Sequence, residues 1–156
     1  SEQDVLDRVY RAATRFGVSV IVRVTPDCPM LDPEVSGRVL AEFRRLTGRA
    51  DYVSNVHPPT FPDGLDTEVF SREALEVAWR ETRLPSDREH VTAYIWRRPE
   101  RFRLANVANA HDLSALRWTV DTAADLEFAR AVHAALDGAG RVFGMDDVLR
   151  DHGAAT

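Results

Sequence analysis

Apolar residues recur at Val5, Leu6, Val9, Tyr10, Ala12, Ala13 and Phe16, which is one face of a helix, and Gly17 stands where that helix would end. The period then changes. Residues 18–24 form a short β-branched run, Val-Ser-Val-Ile-Val-Arg-Val, predicting a strand buried on both faces as in a parallel sheet. Pro26 and Pro29 interrupt it with a loop that holds Asp27 and Cys28. Asp32-Pro33 predicts a helix start, with Asp32 as N-cap, and Gly48 predicts its stop after about Leu46. A second strand is expected over 50–55, then an irregular loop over 56–64 that contains three prolines and a glycine. Residues 65–70 predict a strand, and Ser71 opens a helix turning Leu75, Ala78 and Trp79 inward.

Further on, Ser86 and Glu89 have capping-box spacing, predicting one helix through about Trp96. Strands are expected over 102–107 and 116–120. Thr122 with Asp125 then caps a long helix whose apolar side carries Leu126, Phe128, Ala129, Val132 and Leu136. A short helix near 145–149 closes the chain. Strands alternating with helices, without repeats or a linker, predict one α/β unit built on a mainly parallel sheet.

Composition narrows the function classes. With 156 residues, 44% hydrophobic and 29% charged, the chain is of ordinary globular type and large enough for a substantial core. A net charge of -5 argues against a nucleic-acid partner, since phosphate contacts need a basic surface. The longest apolar run is far too short to span a bilayer. A lone cysteine, Cys28, forms no internal disulfide and favours a reducing, cytoplasmic setting. The sequence opens at Ser1 without methionine and enters a helical pattern at once, so it reads as a cut edge.

In an open α/β sheet, ligands collect beyond the carboxyl ends of strands, and two acids occupy such positions. Asp27 follows the strand ending at Val24, and Asp121 follows the one ending at Val120. Two carboxylates suit Mg²⁺, which completes its shell with water and phosphate oxygens. Each acid has a plain structural reading as well: an Asx-turn at Asp27 and helix-end electrostatics at Asp121. Arg88, Glu89 and His90 concentrate polar chemistry, Arg88 as a fork for carboxylate or phosphate, though a capping role accounts for the same spacing. The loop carrying Asp63 and Asp66 is longer than a connection needs. Cys28 has no neighbouring base and reads as packing, and the basic group Arg97, Arg98, Arg101 and Arg103 reads as a solvated surface. No G-x-S-x-G, H-E-x-x-H, Walker A or G-x-G-x-x-G motif occurs.

Five ordered runs bring these residues together: Val22 to Pro29, Asp51 to Asn55, Pro58 to Asp66, Ser86 to Thr92 and Leu116 to Thr122. Together they resemble the cytidylyltransferases typified by spore coat polysaccharide biosynthesis protein F, relatives of the enzymes that activate sugar acids as CMP-sugars. The resemblance implies a Rossmann-like nucleotidyltransferase fold, N-terminally truncated here, because the Gly- and Arg-containing loop that cradles cytidine triphosphate (CTP) has no counterpart. The sheet would then expose apolar edges. The resemblance also implies Mg²⁺ on Asp27 and Asp121, and a sugar-side pocket formed with Arg88, Glu89 and His90. Asp63 and Asp66 would serve that pocket or a homodimer contact. Pro26 departs from the family's usual glycine, and Ala123 from its usual proline.

The function implied is transfer of CMP from CTP to a sugar or sugar acid with release of pyrophosphate, in surface or spore-coat polysaccharide synthesis. Positioning and charge neutralisation would carry the catalysis, with no protein nucleophile. Two competing readings stand beside it. One is an inactive remnant serving as a sugar-binding or assembly module. The other is a sugar transferase, whose compact Asp-x-Asp motif is missing; Asp146-Asp147 falls in the expected terminal helix.

Overall fold

The computed structural model describes residues 4–136 and 142–152. Ser1, read above as a cut edge, lies outside them. The chain forms two compact units, each assembled from three segments: 1–23, 40–53 and 68–105 in the first, and 24–39, 54–67 and 106–156 in the second.

The first unit opens with helix α1 (Val5–Phe16). Asp4 caps its start by accepting from the Asp7 N–H at 3.0 Å, and Gly17 ends it in the left-handed conformation at φ 62°. Strand β1 (Val20–Arg23) follows, and further along come β2 (Tyr52–Ser54), β3 (Glu68–Ser71) and β4 (Leu104–Asn106). They form a four-stranded sheet in the order β1-β3-β2-β4. Strand β1 pairs antiparallel with β3, Val20 opposite Ser71 and Arg23 opposite Glu68, so the sheet is mixed. Ser71 caps helix α3 (Arg72–Glu81) by accepting from the Ala74 N–H at 3.1 Å. Leu6, Phe70, Leu75, Ala78, Val91 and Ile95 make up the heart of this unit's core.

Two expectations fail here. Strand β1 is not buried on both faces: it lies at the sheet edge, with Val20 39% and Val22 47% exposed. The alternation places Val20 and Val22 on one open apolar face of this outer strand. The single helix expected over 86–96 is broken into α4 (Pro85–Glu89) and α5 (Ala93–Trp96). Ser86 caps nothing, because Pro85 already occupies the first turn and Leu84 is the N-cap. Between the helices, buried Val91 takes φ 59°, a conformation that costs a β-branched residue on the order of 1–3 kcal/mol.

The second unit packs helix α6 (Ala123–Leu136), through Ala129 and Val132, and helix α7 (Met145–His152), through Val148, with Met30, Phe61, Leu65 and Trp118. Helix α2 (Pro33–Arg45) begins in this unit and ends in the first. The predicted N-cap holds: Asp32 Oδ1 accepts from the Glu34 and Val35 N–H groups at 2.6 and 3.2 Å. Its other oxygen accepts from the Met145 N–H at 2.7 Å, tying α7 to α2. Thr122 and Asp125 form the predicted reciprocal cap of α6, at 3.3 and 2.7 Å. The strand expected over 116–120 is reduced to one parallel bridge, Arg117 with Asp63. Among the described residues no helix is long and apolar enough to cross a membrane.

Candidate functional site

The two acids expected to share a cation belong to the same unit. Asp27 sits half-buried in the loop after β1, where the Cys28 N–H donates to the Thr25 carbonyl at 3.3 Å and closes a turn between Pro26 and Pro29. The Val120 N–H donates to the Asp27 carbonyl at 2.9 Å. One backbone bond thus brings the Asp27 loop against the residue preceding Asp121. The Asp121 side chain is 56% exposed and sits just ahead of α6.

The loop over 56–66 explains why the 116–120 segment lies where it does. The Asp63 N–H donates to the Leu116 carbonyl at 2.9 Å, and the Trp118 N–H donates to the Asp63 carbonyl at 2.7 Å. Gly64 follows at φ 109°, pressed against the Trp118 backbone. Buried Asn55 fixes the far side of the loop. Its amide donates to the Leu65 carbonyl and accepts from the Thr67 N–H, both at 2.8 Å. Asp63 is exposed and Asp66 half-buried. Burial pushes the Cys28 thiol up to about 11, and the negative fields of Asp27 and Asp66 push the same way, which places both acids around the buried sulfur. Cys28 is packing and no nucleophile, as its sequence context indicates.

Arg117 was not recognised from sequence as a site residue. Its guanidinium donates to Asp121, donates to Asp125 at 2.9 Å and lies 4.0 Å from Asp63. Thr119 adds a hydroxyl bond to the same Asp121 oxygen at 3.2 Å. Asp125 in turn is held down at about 2, chiefly by the N–H groups of Asp121 and Thr122. The spacing of Arg117 and Asp121 carries meaning only in a helix, and these residues lie outside any helix, so periodicity had no signal to offer.

Arg88, Glu89 and His90 belong to the first unit. Arg88 donates to Asp4 at 2.8 Å and to the Trp79 carbonyl at 3.3 Å, stapling α3 and α4 to the start of α1. Glu89 and His90 are exposed. The His90 carbonyl accepts from the Thr92 N–H at 2.6 Å across strained Val91. Thr92 then donates its hydroxyl to buried Glu68 at 2.6 Å, as does Tyr52, and Arg23 pairs with the same carboxylate. The unit's basic group is solvent-facing, as expected from sequence, and its arginines are also ion-paired. Arg97 binds buried Asp87 at 2.7 Å, Arg101 binds Glu81 and Arg103 binds Asp51, each at 2.6 Å.

The donor chemistry of Asp27 and Asp121 fits a hard divalent cation: two carboxylates from loops joined by a backbone bond, one of them largely solvent-facing. Among the described residues no three His, Cys, Asp or Glu side chains converge into a cage. A cation held here would draw its remaining ligands from water and phosphate.

Residues 1–137 match the family model described as cytidylyltransferase. Among curated proteins, an uncharacterized protein of Methanocaldococcus jannaschii is 36% identical over 129 residues, 81% of this chain and 51% of that protein. Spore coat polysaccharide biosynthesis protein SpsF of Bacillus subtilis is 30% identical over 136 residues, 85% of this chain and 55% of that protein. Among solved structures, a cytidylyltransferase from Leptospira borgpetersenii serovar Hardjo-bovis superposes with a TM-score of 0.89 at 30% identity, covering 95% of this chain and 61% of that one. The chain spans about half the length of the curated relatives it matches.

Proposed function

The chain belongs to the cytidylyltransferase family, and from that premise we propose that it carries the cation- and sugar-side portion of an enzyme that transfers CMP from CTP to a sugar or sugar acid. In that reaction an oxygen of the sugar attacks the α-phosphorus of CTP, the bond to the bridging oxygen of the β-phosphate breaks, and pyrophosphate leaves. The observation that carries the reading is the 2.9 Å bond from the Val120 N–H to the Asp27 carbonyl, which joins the loops of the two acids.

Asp27 and Asp121 would hold a divalent cation, Mg²⁺ by the hardness of its oxygen donors. When bound, it neutralises and orients the triphosphate. Thr119 orients Asp121 through its hydroxyl, and Asn55 fixes the loop that sets Asp63 and Asp66 beside them. In the first unit, the strained turn at Val91 presents His90, with Glu89, as polar contacts for the sugar acid, and Arg88 holds the short helix that carries them. A role in surface or spore-coat polysaccharide synthesis, a cytoplasmic setting and pairing as a homodimer belong to the same reading.

The test is pyrophosphate release by the protein from CTP with Mg²⁺ and an acidic sugar such as 3-deoxy-octulosonate or an acylneuraminate. Asp27→Asn and Asp121→Asn should each lower turnover by more than the roughly 100-fold that loss of an outer-shell partner costs. Turnover that survives both substitutions removes these acids from the site. Silence with every nucleotide and sugar acid, from a folded protein, favours the non-catalytic remnant.

A further inference from the structure

Asp121 does not wait alone for a cation. Its carboxylate already has a positive partner in Arg117, and that partner has two other acids to turn to: Asp125 at 2.9 Å and Asp63 at 4.0 Å. The Arg117 side chain is 45% exposed and Asp121 56% exposed. An ion pair this wet contributes little and exchanges readily. A guanidinium leaving Asp121 would remain paired, because it already bonds Asp125 at 2.9 Å, and the N–H groups of Asp121 and Thr122 hold that carboxylate in place.

We propose that Arg117 is a built-in counter-cation for Asp121, exchanged for the divalent cation when that cation binds. This rests on the reading that Asp27 and Asp121 hold the metal, and it makes Arg117 a positioning residue. In the cation-free protein Arg117 is the shared positive partner of Asp121, Asp125 and Asp63. On exchange its charge passes to Asp125 and Asp63. Because Asp63 is bonded on both sides to the 116–118 backbone, cation occupancy is thereby felt in the loop over 56–66.

The experiment titrates the protein with Mn²⁺, and with Mg²⁺ in competition, and follows both bound metal and the Arg117 Nε–H resonance. Arg117→Gln should tighten cation binding roughly two- to fivefold, the range set by an exposed ion pair. In the unsubstituted protein the Arg117 Nε–H signal should move with the same midpoint as cation binding, and Asp121→Asn should abolish both. The resonance keeps the test decisive even where Arg117→Gln fails to fold. Binding that depends on Asp121 but leaves the Arg117 signal still, or an Arg117→Gln affinity no tighter than that of the unsubstituted protein, overturns the exchange and spares the metal site. Absence of any Asp121-dependent binding, with or without Arg117, sinks the metal reading along with it.

Discussion

Gly64→Ala tests whether the 56–66 loop sets the position of the Asp121 segment. Gly64 has φ 109°, which L side chains rarely adopt, so a replacement there costs on the order of 1–3 kcal/mol in backbone strain alone. The added Cβ would also stand 2.9 Å from the Trp118 carbonyl carbon, 3.0 Å from the Thr119 nitrogen and 3.1 Å from the Trp118 oxygen. These are backbone atoms, not the far end of a flexible side chain. They cannot recede without stretching the 2.9 and 2.7 Å bonds that flank Asp63. Overpacking of this kind adds about 1–3 kcal/mol. Relief of one conflict eases the other, so the expected loss is about 2–5 kcal/mol.

For a chain of this length, a loss of that size lowers Tm by about 4–20 °C. Thermal and urea melts followed by circular dichroism measure it. Gly17→Ala is the matched control: at φ 62° with nothing within 4 Å of the added Cβ, it carries the left-handed strain of roughly 1–2 kcal/mol and no clash. Gly64→Ala should therefore be the more damaging of the two and should also weaken Mn²⁺ binding, since Thr119 and Asp121 follow Trp118. Equal melting of the two variants, with unchanged Mn²⁺ affinity, would refute the argument that this contact positions the site.

Two further outcomes follow from the first unit. Glu68→Ala leaves the Arg23 guanidinium and the Tyr52 and Thr92 hydroxyls without their shared acceptor; with Arg23 24% exposed, the cost should sit at the low end for a broken buried pair, about 3 kcal/mol by urea unfolding, and a loss under about 1 kcal/mol would show that water replaces the carboxylate freely. Glu81 is held down at about 2, mainly by Arg101 and then by Tyr94, against roughly 4.3 in an unfolded chain. Its folded value is depressed, so its contribution is complete above about pH 5 and is lost as pH falls from there through 2. The Tm gap between the unsubstituted protein and Glu81→Gln should thus be open at pH 6 and closed by pH 2, and a gap independent of pH contradicts the assignment.

Local physics was legible in the chain wherever a side chain acts on its own backbone. The stop at Gly17, the Asp32-Pro33 start, the Ser71 cap and the Thr122–Asp125 box each depend on groups a few residues apart, and each is present. The acids Asp27 and Asp121 stood out for a related reason: both follow apolar runs and end in turns. Ser86 misled because Pro85 supplied a competing start one residue earlier, and Thr92, just after the break at Val91, bonds Glu68, which lies far from it in sequence.

What the sequence by itself determined is most of the elements, the caps made by neighbouring side chains and the family motifs, because short-range hydrogen bonds and side-chain period decide those. Only the tertiary structure decided that β1 runs antiparallel to β3 at an open edge, that the 116–120 segment is held by one bridge to Asp63, and that Arg117 reaches three carboxylates. Those facts are pairings between distant segments. Residue period specifies which face a strand buries, but it is blind to which neighbour satisfies the backbone and to which charge a long arginine side chain will meet.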